Sequence, residues 1–421
     1  MGTYTINEKA MMQAYPTMEK NSQSYYNRIQ SVIDGFEKEF GKGNPRVFSA
    51  PGRTEIGGNH TDHQRGCVLA AAVDLDMLGA ALKNGTRMIR AVSEGFLPIE
   101  INIDELAVRE EEKNTSASLI RGIVARVIAL GYEVQGFDLY VRSNVLKGSG
   151  LSSSAAFEVL LGTVINGLYC KGEISAVDIA RIGQYAENKY FGKMSGLMDQ
   201  TASSVGGVVA IDFQNNEAPI VKKLDFDFAN VGYSLCIIDS GGNHADLSEQ
   251  YSAMPLEMRQ VAKELGAEVL READEKEFIL NIAKIRKAVG DRAVFRALHF
   301  FRENKRAMLE ADSLASGDFL GFLSLVNQSG MSSLMYLQNV SVEGSVKNQE
   351  VLFALMACDI LLEGKGAFRV HGGGLGGTVQ AFVPNEMKLV FQNGIEDMVG
   401  KGSCHLLSIR MAGGVELTRE V

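Results

Sequence analysis

The stretch Lys147-Gly148-Ser149-Gly150-Leu151-Ser152-Ser153-Ser154-Ala155-Ala156 joins a strand pattern, FDLYVRSNV at 137–145, to an apolar helical run, FEVLLGTVINGL at 157–168. A glycine-rich turn from strand into helix has two readings. Glycines let backbone N–H groups approach a ligand closely, and serines at the helix start add hydroxyls to an N-terminus that already favours anions, so phosphate is a natural guest. The same residues also make an ordinary turn with a serine cap. The Walker A form is excluded, because none of the Gly-Lys pairs at 41, 192, 364 and 400 is followed by Ser or Thr.

Outward from this loop, helical periodicity at 116–131 and 151–170 flanks the strand. Residues 67–103 carry short apolar runs broken at Asn84-Gly85 and Gly95, the pattern of hairpin-linked strands. Residues 5–41 read as a helical lead-in to RVFSAPG at 46–52. Two further strands, GGVVAIDF and YSLCIIDS, bracket the charged stretch 214–231, which suggests a first domain of residues 1–215 and a second of 216–421. Residues 255–325 are helical and charged, and 366–383 return to strand, loop and strand. Strands and helices do not alternate regularly, so the class is α+β and not a doubly wound sheet.

The composition narrows the function classes. With 421 residues and 46% hydrophobic content the chain can bury a large core without disulfides or structural metal. Its 42 Lys+Arg against 51 Asp+Glu give a charge of −9, and no basic run occurs, which argues against a nucleic-acid partner. No apolar run approaches the roughly 18 residues of a membrane span, and the N-terminus lacks signal-peptide character. Cys67, Cys170, Cys236, Cys358 and Cys404 are odd in number and widely spaced, as in a reducing cytosol. The expectation is a cytoplasmic protein, a monomer or weak homo-oligomer.

Three other segments carry candidate chemistry. Gly372 to Gly377 contains G-x-G-x-x-G, and Asp397 lies twenty residues after its last glycine, but TVQAFVP reads as a strand where a dinucleotide-binding loop needs a helix. Close packing against another backbone or a ligand is the better reading. Asn59-His60-Thr61-Asp62-His63 groups two imidazoles and a carboxylate, which suits polar contacts to a ligand, turn chemistry or half a metal site. In AENKYFGKMSGLMDQ (186–200), Glu187 falls at the edge of an apolar helical stripe and Asp199 in a neutral segment, placings that fit pairing, helix capping or catalysis.

Taken in order, GRTEIGGNHTDH (52–63), KGSGLSSSAA (147–156), AENKYFGKMSGLMDQ and VHGGGLGGTVQAFV (370–383) resemble the galactokinase branch of the GHMP kinases, from about Arg46 to the C-terminus. The resemblance implies an N-terminal domain with a left-handed βαβ element, a ferredoxin-like C-terminal domain, and a cleft where ATP and a sugar meet. It implies that Gly148, Ser149, Gly150, Leu151, Ser152, Ser153 and Ser154 wrap the triphosphate, that Ser154 and Glu187 hold Mg²⁺, that Asp199 is the catalytic carboxylate and that Arg53 is its partner. Sugar contacts would fall on Asn59, His60, Thr61, Asp62 and Tyr251. The chemistry is coherent: a carboxylate beside the anomeric hydroxyl accepts its proton, a guanidinium keeps that carboxylate ionised, and Mg²⁺ bridges phosphate oxygens.

The chain departs from the branch at the sugar motif. Where the family has Glu in E-H-T-D-Y this chain has Asn59, its Tyr is His63, and the preceding N-L-I is Glu55-Ile56-Gly57. An amide in place of the family's contact to the sugar 6-hydroxyl either serves that hydroxyl equally well or tolerates a 6-carboxylate, as in galacturonate. Lys147 replaces an apolar residue and adds a contact to ATP or a solvated charge. The expected function is a sugar 1-kinase, most simply acting on galactose. The competitors are a galacturonate-type kinase, a non-catalytic sugar and ATP sensor, and a hydrolase with metal at His60, Asp62 and His63. Retention of Ser152 to Ala156, Glu187 and Asp199 favours the enzyme over the sensor.

Overall fold

The computed structural model describes residues 4–15, 18–145, 150–193, 195–215, 217–242 and 247–420. Its larger sheet is organised by two long antiparallel strands, Arg46–Gly57 and Cys67–Lys83, in register from Arg46 opposite Ala81 to Gly57 opposite Leu69. Val415–Glu416 flanks the first strand. The second is long enough to hold two partners on its other edge, Val208–Asp212 against Cys67–Ala71 and Phe137–Ser143 against Met77–Lys83. Both faces are covered, so side chains of both parities are apolar. Val47, Leu78 and Ala80 pack against Ile29, Val32 and Phe36 of helix Met18–Phe40. Phe48 and Met77, of opposite parity, join the core that holds Val159, Leu160 and Val164 of helix Ser153–Tyr169. Each fully buried aliphatic chain of this kind is worth about 1.5–3 kcal/mol.

Met88–Ser93 pairs in parallel with Phe137–Ser143, and the connection between them runs through Ile99–Asn102 and helix Ser116–Ala129. This is the strand, helix, strand crossover of the α+β fold that the sequence suggests. A second sheet is antiparallel throughout, in the order Ala367–His371, Thr378–Pro384, Tyr233–Asp239, Cys404–Leu407. Helices Glu350–Leu362 and Lys388–Met398 cover it. All five cysteines are free and buried, and among the described residues no helix is long and apolar enough to cross a membrane.

The division at 215/216 falls within the larger sheet. The charged stretch after 214 includes a strand, Ile220–Leu224, that pairs with Val208–Asp212. It was illegible because it is a mostly exposed edge strand, with Lys222 and Lys223 on its exposed positions. The end of the chain also comes back: Ile409 bridges Val73, and Thr418–Glu420 pairs with a short strand, Tyr4–Ile6, ahead of the N-terminal helices.

Asp76, fully buried on the long strand, ties these returns together. Its carboxylate accepts from Tyr15 Oη (2.8 Å), Ser49 Oγ (2.5 Å), Arg28 Nη2 (2.6 Å) and Arg410 Nη1 (3.1 Å). Burial pushes its pKa up, but Arg28 and Arg410 overcome that and hold it below the usual range. Removing a buried anion strands its cations, and Arg410 is itself completely buried. Asp76→Ala should therefore lower the unfolding free energy by about 3–5 kcal/mol, against about 1 kcal/mol for Ser49→Ala. Denaturant titration of both variants checks the ranking, and equal small losses would show that the cluster is not a joint.

Candidate active site

The strand Arg46–Gly57 is irregular between Pro51 and Arg53, where proline removes a ladder donor and the register shifts. Gly52 lies so close to the phosphate loop that a Cβ there would come within 3.0 Å of Leu151 O, and Arg53 N donates to that same oxygen at 3.0 Å. The Arg53 side chain then reaches Asp199 in a bidentate pair, Nε to Oδ1 and Nη2 to Oδ2, both 2.7 Å, while Nη1 donates to Gly150 O. Its side chain is 8% exposed and that of Asp199 is 29% exposed, so the carboxylate is the reachable half of the pair. Burial alone would raise the Asp199 pKa. Arg53, with help from Ser152 and Lys193, reverses this and keeps the carboxylate below its ordinary range. Asp199 also sits in the first turn of helix Met198–Val205, where the helix dipole favours an anion.

Of the expected phosphate loop, Lys147, Gly148 and Ser149 lie outside the described residues. Gly150 has φ +71°, and a Cβ there would meet His371 Nδ1 and Thr378 Oγ1 at 3.0 Å, so the close approach requires glycine. Leu151 is buried in the core and anchors the loop. Ser152 stands at the N-cap position of the following helix in the left-handed region, φ 55°, without a side-chain capping hydrogen bond, an unusual conformation for a residue with a Cβ. Ser152, Ser153 and Ser154 remain partly exposed at the helix start. His371 Nε2 accepts from Glu55 N (3.2 Å), which places the ring proton on Nδ1, facing Thr378 Oγ1 at 2.9 Å. The second glycine loop thus packs between the phosphate loop and the sugar loop.

In the sugar loop the structure separates residues that the motif groups. His60, at φ 57°, and Asp62 are partly exposed; His60 Nε2 lies 3.2 Å from Gly373 O, and Gly196 leaves room for the Asp62 carboxylate, since a Cβ there would lie 2.3 Å from Oδ2. Burial, with Glu55 and Asp199 nearby, pushes the Asp62 carboxyl up to about 6. Tyr251 donates to Gly374 O at 3.0 Å, and its ring lies over Gly373. Asn59 and Thr61, expected at the sugar, do not face open space. Asn59 is fully buried: its Nδ2 donates to Glu55 Oε1 (2.8 Å) and Gly372 O (2.6 Å), and its Oδ1 accepts from Asn339 (2.9 Å) and Ser333 (3.4 Å). Thr61, also buried, turns its hydroxyl to Gly58 O and Cys67 O. Both shape the loop from behind.

Glu187 ends helix Ala176–Ala186 and is buried, its oxygens meeting Lys193 Nζ (3.0 Å), Ser195 Oγ (2.5 Å) and Gln200 Nε2 (2.9 Å). The same Gln200 nitrogen donates to Glu158 Oε2 at 2.9 Å. Glu158 lies four residues after Ser154 on the phosphate-loop helix, and so on the same face. Its Oε1 is buried without a hydrogen-bond partner, and burial with the nearby Glu187 drives its pKa well above the ordinary range. Two carboxyls sharing one amide, with an orphaned oxygen, form a set of hard oxygen atoms that suits Mg²⁺.

Sequence reading missed the groups that hold these loops. Glu303, on helix Asp291–Ser316, receives Gly58 N (3.1 Å), Asn59 N (3.4 Å) and Ser329 Oγ (2.6 Å), and pairs with Arg306. His299 Nε2 reaches Asn59 O at 2.9 Å. Arg369, fully buried, pairs with Glu55 at 2.6 Å and donates to Ile56 O at 2.6 Å. The available signal was a polar repeat at 296, 299, 303, 306 and 310, which marks one face of a helix in the stretch read only as helical and charged.

A family model described as GHMP kinases N terminal domain matches residues 118–207, and one described as galactokinase galactose-binding signature matches 34–83. A galactokinase of Glaesserella parasuis is 30% identical over 376 residues, 85% of this chain and 91% of that one. This chain belongs to the galactokinase family. A galactokinase of Enterococcus faecalis is 29% identical over 368 residues, covering 84% and 90% of the two chains. The structure of Lactococcus lactis galactokinase complexed with galactose shares the fold at a TM-score of 0.79 and 24% identity, over 92% of this chain and all of that one. A mevalonate kinase structure aligns at 0.58 and 16% identity, over 86% and 98%. The family's members are sugar kinases, and the four-motif resemblance and the GHMP kinase fold are both borne out.

The Asp62 shift gives a stability test. The folded protein takes up a proton on Asp62 at about pH 6, against 3.8 for an unperturbed carboxyl. Its contribution favours folding at low pH and is lost as pH rises through about 6. Asp62→Asn, which has no charge to bury, should melt higher than the wild type at pH 8, with the gain shrinking toward pH 5. Thermal unfolding across that range checks it, and a pH-independent difference would contradict the raised pKa.

Proposed function

We propose that this protein transfers the γ-phosphoryl group of ATP to the 1-hydroxyl of galactose, giving galactose 1-phosphate and ADP. The observation that carries this reading is the Arg53–Asp199 pair: an ionised, partly exposed carboxylate held between the phosphate loop and the partly exposed His60 and Asp62. Asp199 accepts the hydroxyl proton as the sugar oxygen attacks phosphorus, and Arg53 keeps it ionised until then and stabilises charge on the moving group. The residues from Gly148 to Ser154 wrap the triphosphate, their backbone N–H groups and helix start matching its charge. Ser154 and Glu187 would hold Mg²⁺, which when bound offsets charge on the β- and γ-oxygens. His60, Asp62 and Tyr251 bind sugar hydroxyls.

The similarity to curated galactokinases supports galactose as the acceptor. Presence of Asp199, Glu187 and Ser152 to Ala156 supports turnover over sensing. Five buried free thiols support a cytosolic setting.

A coupled ADP-release assay over galactose, galacturonate, arabinose, glucuronate, N-acetylgalactosamine and inositol tests the function. Galactose should give the highest kcat/KM, and Asp199→Asn should lower kcat by about 10²–10⁴ with ATP binding retained. ATP binding without ADP release on any sugar would replace the kinase by a sensor, and near-normal turnover in the variant would remove Asp199 from the proton transfer.

A further inference from the structure

Lys193 stands out because of where its charge lies. Its Nζ is 3.0 Å from Glu187 Oε1, the carboxyl proposed above to hold Mg²⁺ together with Ser154. The side chain is 57% exposed while Glu187 is 4% exposed, so the lysine reaches in from solvent to a buried carboxylate. The other Glu187 oxygen is taken by two neutral donors, Ser195 Oγ and Gln200 Nε2, so the ammonium is the only full positive charge paired with Glu187 among the described residues. The rest of the site is fixed: Ser195 is pinned through its backbone N to Asn188 Oδ1 (2.8 Å) and by Gln184 on its carbonyl (3.1 Å), and Gln200 is held between two carboxyls. Lys193 follows Gly192, at φ +91°, and has a flexible four-carbon stem. It is the one member of the cluster able to leave without unfolding anything.

We infer that Lys193 is a cation placeholder: its ammonium neutralises Glu187 while the nucleotide site is empty and competes with the divalent cation for the same carboxylate. The proposal rests on the reading of Glu187 as a metal ligand. An ammonium and a dication on one carboxylate repel each other, so loading the metal favours Lys193 swinging outward. Apparent metal affinity is correspondingly weaker than the carboxyl cluster alone would give. No group changes protonation in this exchange.

The test is direct binding of Mn²⁺, followed by electron paramagnetic resonance of the free ion, to the intact protein with a non-hydrolysable ATP analogue. Wild type, Lys193→Met, Lys193→Arg and Glu187→Gln are compared. Lys193→Met should bind Mn²⁺ about tenfold tighter, the scale of one part-exposed charge-assisted pair. Lys193→Arg, which keeps the charge, should stay near wild type, and Glu187→Gln should bind more weakly. The lysine is exposed and outside the core, and a circular dichroism spectrum and Tm confirm that each variant is folded. If Lys193→Met binds Mn²⁺ no tighter while Glu187→Gln weakens it, the placeholder is overturned and the metal-ligand reading stands. If Glu187→Gln has no effect, Glu187 is not a ligand and both readings fall.

Discussion

The bidentate pair between Arg53 and Asp199 is the constraint on which the rest of the site depends. A carboxylate in this cleft would be driven toward its neutral form by burial, and a neutral acid accepts no proton from a sugar. Arg53 reverses the balance by charge and by two 2.7 Å hydrogen bonds, and its third arm reaches Gly150 O, so one side chain fixes both the base and the phosphate loop. Gly52, the shifted register after Pro51 and the contact from Arg53 N to Leu151 O are the backbone conditions for that reach. Glycine at 52 is thus a matter of distance between two backbones.

Behind the cleft lies a second layer of buried charge. Glu303 accepts the backbone donors of Gly58 and Asn59, and burial raises its pKa less than His299, Arg306 and Arg369 lower it, to about 2. Arg369 clamps Glu55, and Asn59 ties Glu55 to Gly372 O. Such groups add little net stability compared with apolar packing, since their desolvation costs about as much as their pairing returns. What they add is position, because the buried donors and acceptors satisfy one another in one arrangement of the loops. Relative to the family pattern, the acid and amide of this segment have exchanged places, with Glu55 and Asn59 facing each other. In this chain the two are joined by a hydrogen bond from Asn59 Nδ2 to Glu55 Oε1.

Much of this was legible in the sequence, and what was not has physical reasons. The four motifs carried the fold because their glycines and charges are demanded by close approach: Gly150 against His371, Gly196 against Asp62, Gly373 against Tyr251. Arg53 pairs with Asp199, and Glu187 with Lys193. The inward turn of Asn59 and Thr61 was not legible because a motif gives neighbours in sequence but not the direction of a side chain. His60 projects from a left-handed residue, and the residues on either side turn inward. The edge strand Ile220–Leu224 has too little buried surface to show alternation, and nothing local in helix Asp291–Ser316 announces the burial of Arg296, His299, Glu303, Arg306 and Glu310.

The central claim is that Arg53 sets the ionisation of Asp199. Its most direct measurement is the titration of the Asp199 carboxyl by carbon-13 NMR in Asp-labelled protein, assigned with an Asp199→Asn sample, in the wild type and in Arg53→Met. The account predicts a pKa below the ordinary 3.8 in the wild type and above it in Arg53→Met, where burial acts without its counterweight. The same midpoint in both proteins would contradict it.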